Sequence, residues 1–319
     1  MTKNTSSLIL VGGYGFVGRN ILDNVMNDGR FAHLSPVVID NLSNPAPGHD
    51  TLNVDAHIGG YSENGALDFL NDIETPEGGR VFVFLAGETR VAESKDRPLD
   101  FIEANIAEPS RFVMDAVQPG DHFILISTAG ALFDGTFEVS VNSPYCPKNF
   151  YGATKAAEEM ILEKLVALRG GSFRVIRLTN VYGKFSDNKK SAIHAFTRAA
   201  INGDSVFING DGQQSRDFIY AGDVGYGIAT LARKLVAGED TNPVNMLGAG
   251  HSTTLMDVVH AIEEVTQKPL NYEKVPATDL LATEPRDVIA NGDDVTVLLG
   301  DHITPFVEGI RQTHGYYSS

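Results

Sequence analysis

The chain has 319 residues, 42% hydrophobic and 21% charged, which excludes a largely disordered protein and predicts one large domain or two unequal ones. Its 25 Lys and Arg against 41 Asp and Glu leave a net charge of −16, so nucleic acid and anionic lipid surfaces are excluded as partners. Cys146 is the one cysteine, which excludes an internal disulfide and a Cys-rich metal site and reads as an incidental thiol; no metal is expected.

In chain order, Leu8-Ile9-Leu10-Val11 is a buried-strand run and Gly18 to Met26 reads as a helix. Val37-Val38-Ile39-Asp40 is a second strand, and Val81 to Leu85 and Phe123 to Ile126 are further apolar runs. A long helical stretch from Tyr151 to Leu168 precedes another strand, Arg174 to Leu178. Continuous apolar strands separated by helical spacers predict a parallel sheet covered on both faces, a doubly wound α/β fold. From about Tyr182 the texture changes: a polar loop over 184–190, a helix from Ser191 to Asn202, a turn at Asn209-Gly210-Asp211-Gly212. From His251 onward a helix, an extended stretch, a Pro-spaced loop and a terminal helix are expected. No long linker and no repeat interrupts the chain, so a smaller second domain packed on the first is predicted. No apolar run approaches the ~18–20 residues of a membrane span, and residues 1–7 lack a signal-peptide core. A soluble, cytoplasmic protein is the expectation.

Gly12, Gly15 and Gly18 form a Gly-x-x-Gly-x-x-Gly turn between the first strand and the first helix. Absent side chains permit a tight turn, close approach of a pyrophosphate and close helix–strand packing. The helix N-terminus offers free N–H groups and a positive dipole end, so an acidic protein can hold a diphosphate without a basic patch. Asp40 ends the next strand 22 residues after Gly18, where a carboxylate can accept bonds from an adenosine ribose and repel a 2′-phosphate, favouring NAD over NADP. The alternative makes Asp40 a turn or cap residue.

Tyr151-Gly152-Ala153-Thr154-Lys155 opens a helix with Tyr151 and Lys155 on one face. An adjacent ammonium stabilises phenolate, so Tyr151 can take a proton from a substrate hydroxyl as hydride leaves the same carbon. An exposed i,i+4 pair is the alternative for such a short motif alone.

With these motifs in order, the chain resembles the extended short-chain dehydrogenases/reductases, of the NAD-dependent epimerase/dehydratase type acting on nucleotide sugars, over roughly residues 7–315. The resemblance implies a Rossmann-type doubly wound sheet with a smaller α/β C-terminal substrate domain. Residues 1–182 would form the NAD-binding part, with 219–248 returning to it, and 183–218 and 249–319 the substrate domain. It implies cofactor contacts from Gly12, Gly15, Phe16, Val17, Gly18, the Asp40-Asn41-Leu42 segment, Leu85-Ala86-Gly87, Asn105, Tyr151 and Lys155. In Arg177-Leu178-Thr179-Asn180-Val181-Tyr182-Gly183, Asn180 would touch the substrate diphosphate or sugar. Arg216, in Gly210 to Tyr220, and Arg286, in Glu284-Pro285-Arg286-Asp287, would grip that diphosphate, with Asp217 a structural partner. A homodimer built on a four-helix bundle of the Asn105–Ala116 and Tyr151–Leu168 helices is implied as well.

The resemblance departs in three places. With Phe133 in the place of the family's Tyr, Ala129 stands where a Ser or Thr normally polarises the substrate oxygen. Thr128 is nominated for that role and Ser127 is second choice, although strand alternation would turn Thr128 to the opposite face unless the strand has ended. Phe84 replaces a His. The Asp-Glu pair of dehydratases is missing, since Ala129-Gly130 stand there, and elimination of water needs such an acid and base. The expectation is an NAD-dependent nucleotide-sugar 4-epimerase. A dehydrogenase, reductase or decarboxylase of the same family, or a non-catalytic NAD-binding protein, is the alternative.

Overall fold

Seven short segments, rich in Val, Ile, Leu and Phe, line up as one parallel sheet. They are β1 (Ser6–Val11), β2 (Leu34–Asp40), β3 (Asp55–Ile58), β4 (Val81–Phe84), β5 (His122–Thr128), β6 (Ser172–Leu178) and β7 (Val244–Leu247). The computed structural model describes residues 5–76, 78–133, 137–276 and 288–319. The sheet order is β7-β6-β5-β4-β1-β2-β3, with Val11 aligned to Ile39 on one side and Phe84 on the other. Strand order therefore reverses between β1 and β4, and a crevice opens at their C-terminal ends, where ligands of such sheets bind.

Alternation along the strands feeds two cores. Leu8, Leu10, Val81 and Val83 point to one face, under Ile21 and Leu22 of the Phe16–Asn27 helix and Ile228 and Leu231 of the Ala221–Val236 helix. Ile9, Val11, Phe82 and Phe84 point to the other, under Phe112 and Val113 of Glu108–Ala116 and Leu162 and Val166 of Phe150–Leu168. Both faces are thus dry, which explains the continuous apolar runs.

A third core gathers Ile193, Phe196, Ile208, Val258, Ile262 and Ile310 from the helices Ala192–Asn202, Leu255–Thr266 and Phe306–Ser318 and the strand Val206–Asn209. That strand pairs in parallel with Tyr272–Val275. Thr254 and Asp257 close a reciprocal capping box on the second of these helices, so it starts at Leu255. A helix not expected from the pattern, Gly292–Leu299, departs from the division of the chain drawn above. It lies within 249–319, yet its Leu298 and Leu299 join the core of the sheet. None of the helices among the described residues is long and apolar enough to cross a membrane.

Candidate active site

The glycine turn is built by contacts that exclude side chains. Gly12 has φ +82°, and a Cβ on it would sit 3.2 Å from the Ala86 amide nitrogen, so the turn lies against the Leu85–Ala86 segment that leaves β4. A Cβ on Gly18 would lie 2.3 Å from the Gly13 carbonyl oxygen. Gly15 differs: it is the N-cap of the Phe16–Asn27 helix, offers no capping side chain, and a Cβ there would meet Gly12 O alone, at 3.4 Å. No acidic residue stands in that first turn either. The Phe16 and Val17 amides, at the helix start, are therefore left to an outside acceptor, and the cradle fits a dinucleotide diphosphate. The helix starts two residues earlier than the pattern suggested because Gly15 can turn directly into it.

Asp40 serves the turn first. Its Oδ2 accepts from the Tyr14 amide at 2.9 Å and its Oδ1 from the Leu42 amide at 2.8 Å. The cap reading is thus realised, and each oxygen keeps lone-pair capacity for a ribose hydroxyl. Asn41 is exposed and its Oδ1 accepts from Ser43 N at 3.0 Å, closing an Asx turn beside it. Leu85 continues the ladder from its amide to Val11 O at 2.9 Å.

Asn105, expected at the cofactor, is wholly buried. Its Oδ1 accepts from Glu88 N at 2.8 Å, and its Nδ2 donates to Glu88 O at 3.1 Å and Thr154 Oγ1 at 3.2 Å. A Cβ on Gly87, where φ is +128°, would meet Asn105 Oδ1 at 2.7 Å. Asn105 thereby clamps the loop after β4 to the Tyr151 helix.

The Phe150–Leu168 helix begins with Asn149 as its cap, Oδ1 accepting from Gly152 N at 2.8 Å. Gly152 lets it approach closely, since a Cβ there would stand 2.0 Å from Ala131 O. Tyr151 is 8% exposed, with Phe101 edge-on at 6.5 Å. Burial holds its pKa above the ordinary value, against the pull of the Lys155 ammonium and with Glu158 adding to the rise, while the Thr128 hydroxyl favours the phenolate. Burial alone would lower the Lys155 pKa, but Glu158, Tyr151 and Glu159 hold it above the ordinary value. The Lys155 Nζ donates to Ile126 O at 3.0 Å and is ion-paired with Glu158.

The two candidate hydroxyls face opposite ways. β5 runs through Thr128, so neighbours alternate, and Ser127 Oγ donates to buried Glu159 Oε1 at 2.5 Å. Thr128 faces the opposite way, toward Tyr151, and Ala129 is wholly buried among Leu132, Phe133 and Val139. Thr128, one residue before Ala129, is thus the hydroxyl that opens on the Tyr151 cavity.

A cavity of about 160 Å³ brings Thr128 and Tyr151 together with Asn149, Thr179, Asn180 and Arg216. Asn180 Nδ2 donates to Asp217 O at 3.1 Å, and Arg216 sits on a two-residue strand paired with Thr253–Thr254. Asp217 ties these walls: its Oδ1 accepts from Thr179 Oγ1 and Ala249 N, its Oδ2 from Gly250 N and Ala290 N, at 2.7 to 3.1 Å. Burial raises its pKa against those bonds. Arg286 lies outside the described residues.

Sequence reasoning passed over the carboxylates behind the pair. Glu159 accepts from Tyr145 OH at 2.6 Å and pairs with Arg177 at 2.8 Å, both charges buried, and Arg177 Nη1 donates to Val141 O at 3.1 Å. Glu158 is wholly buried beneath Lys155, its pKa pushed up to about 7 by burial against the pull of Lys155. The available signal was that Glu158 and Glu159 sit on the apolar side of a helix whose exposed face already carries Glu163 and Lys164.

The NAD dependent epimerase/dehydratase family model matches residues 8–246. A putative UDP-glucose 4-epimerase of Methanocaldococcus jannaschii is 26% identical over 80% of this chain and 81% of its own. A UDP-glucuronic acid decarboxylase 1 of Danio rerio is 23% identical over 99% of this chain and 73% of its own. The crystal structure of a Thermotoga maritima UDP-glucose 4-epimerase with UDP-glucose superposes with a TM-score of 0.80 at 26% identity, covering 98% of each chain. With the switch-point crevice, the open glycine turn and the Tyr151–Lys155 helix in one place, the chain belongs to the NAD-dependent epimerase/dehydratase family, and NAD is its cofactor.

Proposed function

We propose that the protein is a nucleotide-sugar 4-epimerase acting on UDP-linked sugars by transient oxidation to a keto sugar. The observation that carries this reading is the Thr128–Tyr151 hydroxyl pair opening on the same cavity as Asn180 and Arg216. NAD supplies a hydride acceptor that can return what it takes. Tyr151 holds the proton of the sugar hydroxyl, with Lys155 stabilising the phenolate and Thr128 polarising the sugar oxygen. Asn180, Arg216 and Arg286 would grip the diphosphate, so the sugar is tethered at one end and can present either face. The cofactor would lie on residues 1–182 with 219–248, the sugar nucleotide on 183–218 and 249–319.

Ala129-Gly130 supply neither acid nor base for elimination, which supports epimerisation over dehydration. Relatives named as decarboxylases favour a second reading, in which the same oxidation precedes loss of CO2. Chromatography of UDP-glucose, UDP-N-acetylglucosamine and UDP-glucuronic acid after incubation, with absorbance at 340 nm, separates them. Interconversion of 4-epimers without NADH accumulation is expected; a pentose product supports decarboxylation, and net NADH a dehydrogenase.

A homodimer fits the same reading. Met160, Ile161 and Leu168 are exposed apolar residues on one of the two helices expected to form the bundle, and Leu99 and Ile102 are exposed on the Pro98–Ile102 helix that precedes the other. Sedimentation at a dimer mass, reduced to monomer by Met160→Lys, is the expected outcome; a monomeric wild type refutes it.

A further inference from the structure

The Tyr151–Lys155 pair has a third member that its motif does not include. Glu158 lies one turn along the same helix with no exposed surface, and no donor among the described residues reaches its oxygens apart from the Lys155 ammonium. A buried carboxylate with a single partner is costly unless the two stay together, so Glu158 holds the Lys155 ammonium against it. It also draws on the ammonium that the phenolate needs.

We propose that Glu158 is a positioning residue of the catalytic pair, which holds the Lys155 ammonium in place and competes with the Tyr151 phenolate for its charge. This deepens the reading of Tyr151 as the proton-transferring group and rests on it. The groups that face Glu158 are Lys155, Tyr151 and Glu159 on its own helix, and the Tyr61 phenol from the segment packed against it. Glu108 and burial both push the Tyr61 pKa up, so this phenol stays neutral, and Glu159 is paired with Arg177. The net field at Tyr151 is therefore set by Lys155 and Glu158 together. With Glu158 ionised the two charges cancel and the phenol keeps its proton. With Glu158 neutral the ammonium acts unopposed and phenolate is favoured.

The test does not depend on substrate. Phenolate absorbance near 295 nm is titrated in NAD-loaded protein, and the Tyr151 contribution is isolated by subtracting Tyr151→Phe. In Glu158→Gln the Tyr151 midpoint is expected to fall by about one pH unit, a tenfold loss of proton affinity. Glu158→Asp, which keeps the charge, is expected to stay near the wild-type midpoint. Glu158→Ala repeats the measurement should the Gln variant not fold, as judged by near-UV circular dichroism. An unchanged midpoint, a Tyr151 signal absent from both proteins, or failure of both neutral variants to fold overturns the proposal, the last in favour of a purely structural charge. Absence of UDP-sugar turnover would sink the epimerase reading and leave this titration standing.

Discussion

Gly15 and Gly18 give opposite expectations for the same substitution. At Gly18 an alanine Cβ would lie 2.3 Å from Gly13 O and 2.6 Å from Gly13 C and Cα, all backbone. A tolerable contact begins near 3.0 Å, so the turn and the helix must part by about 0.7 Å, the difference between 3.0 and 2.3 Å. Overpacking of that kind costs about 1–3 kcal/mol, and the better helix propensity of alanine returns less than ~1 kcal/mol. At Gly15 the backbone is φ −70°, ψ 177°, which any residue adopts, and the added carbon meets one oxygen at 3.4 Å. Stability should change by no more than ~1 kcal/mol, the usual cost of alanine at a cap. The added methyl nevertheless stands beside the open amides of Phe16 and Val17, where the diphosphate must come close. Gly15→Ala should therefore melt near wild type while NAD affinity falls at least about tenfold, or ~1.4 kcal/mol. Gly18→Ala should lose melting temperature as well as NAD. Calorimetric titration with NAD and thermal melts in its absence give both numbers. Undiminished NAD binding by Gly15→Ala, or wild-type stability of Gly18→Ala, refutes the account of this turn.

Thr128→Val should lower kcat about 100-fold with little change in stability, whereas Ser127→Ala should destabilise by about 1–2 kcal/mol, through the lost donor to Glu159, and spare kcat. Steady-state kinetics beside denaturant melts distinguish them, and a reversed pattern would put Ser127 at the substrate. Arg216→Met should raise KM for a UDP-sugar more than it lowers kcat, with NAD affinity unchanged; an unaltered KM removes Arg216 from the substrate site. His194 is fully buried with its Nε2 unpartnered, and burial lowers its pKa to about 3. Its unfolded value is near 6.5, so the stability it contributes is whole above that pH and drains as pH falls toward 3. Between pH 6.5 and 5 that is 1.5 units, about 2 kcal/mol. Urea melts of wild type and His194→Gln at pH 7 and pH 5 measure the share, and equal acid sensitivity in both would contradict it.

Five of the seven sheet strands were legible as apolar runs because both faces of the sheet are covered, while Val244–Leu247 was placed only within the returning segment 219–248 that the resemblance implies. β3 was not legible, since Asp55-Ala56-His57-Ile58 is an edge strand with two exposed residues and no apolar run. The glycine turn and the Tyr151–Lys155 helix carry their chemistry in local spacing, so sequence reached them. The Glu159–Arg177 pair joins a helix to a strand, and nothing local to either residue shows that both are buried. Facing of Ser127 and Thr128 hinged in the same way on a partner, Glu159, 32 residues further along. Asn105 was assigned to the cofactor by resemblance, and its clamp on Glu88 and Thr154 became visible only through tertiary contacts.

The central claim is that hydride leaves and returns to one carbon under the hand of Tyr151. UDP-glucose deuterated at C4 tests it most directly, with the product sugar analysed by NMR and mass spectrometry. Deuterium retained at C4 of a 4-epimer, no net NADH, and loss of exchange in Tyr151→Phe that still binds NAD is the expected result. Label washed out to solvent, or full activity in Tyr151→Phe, would contradict it.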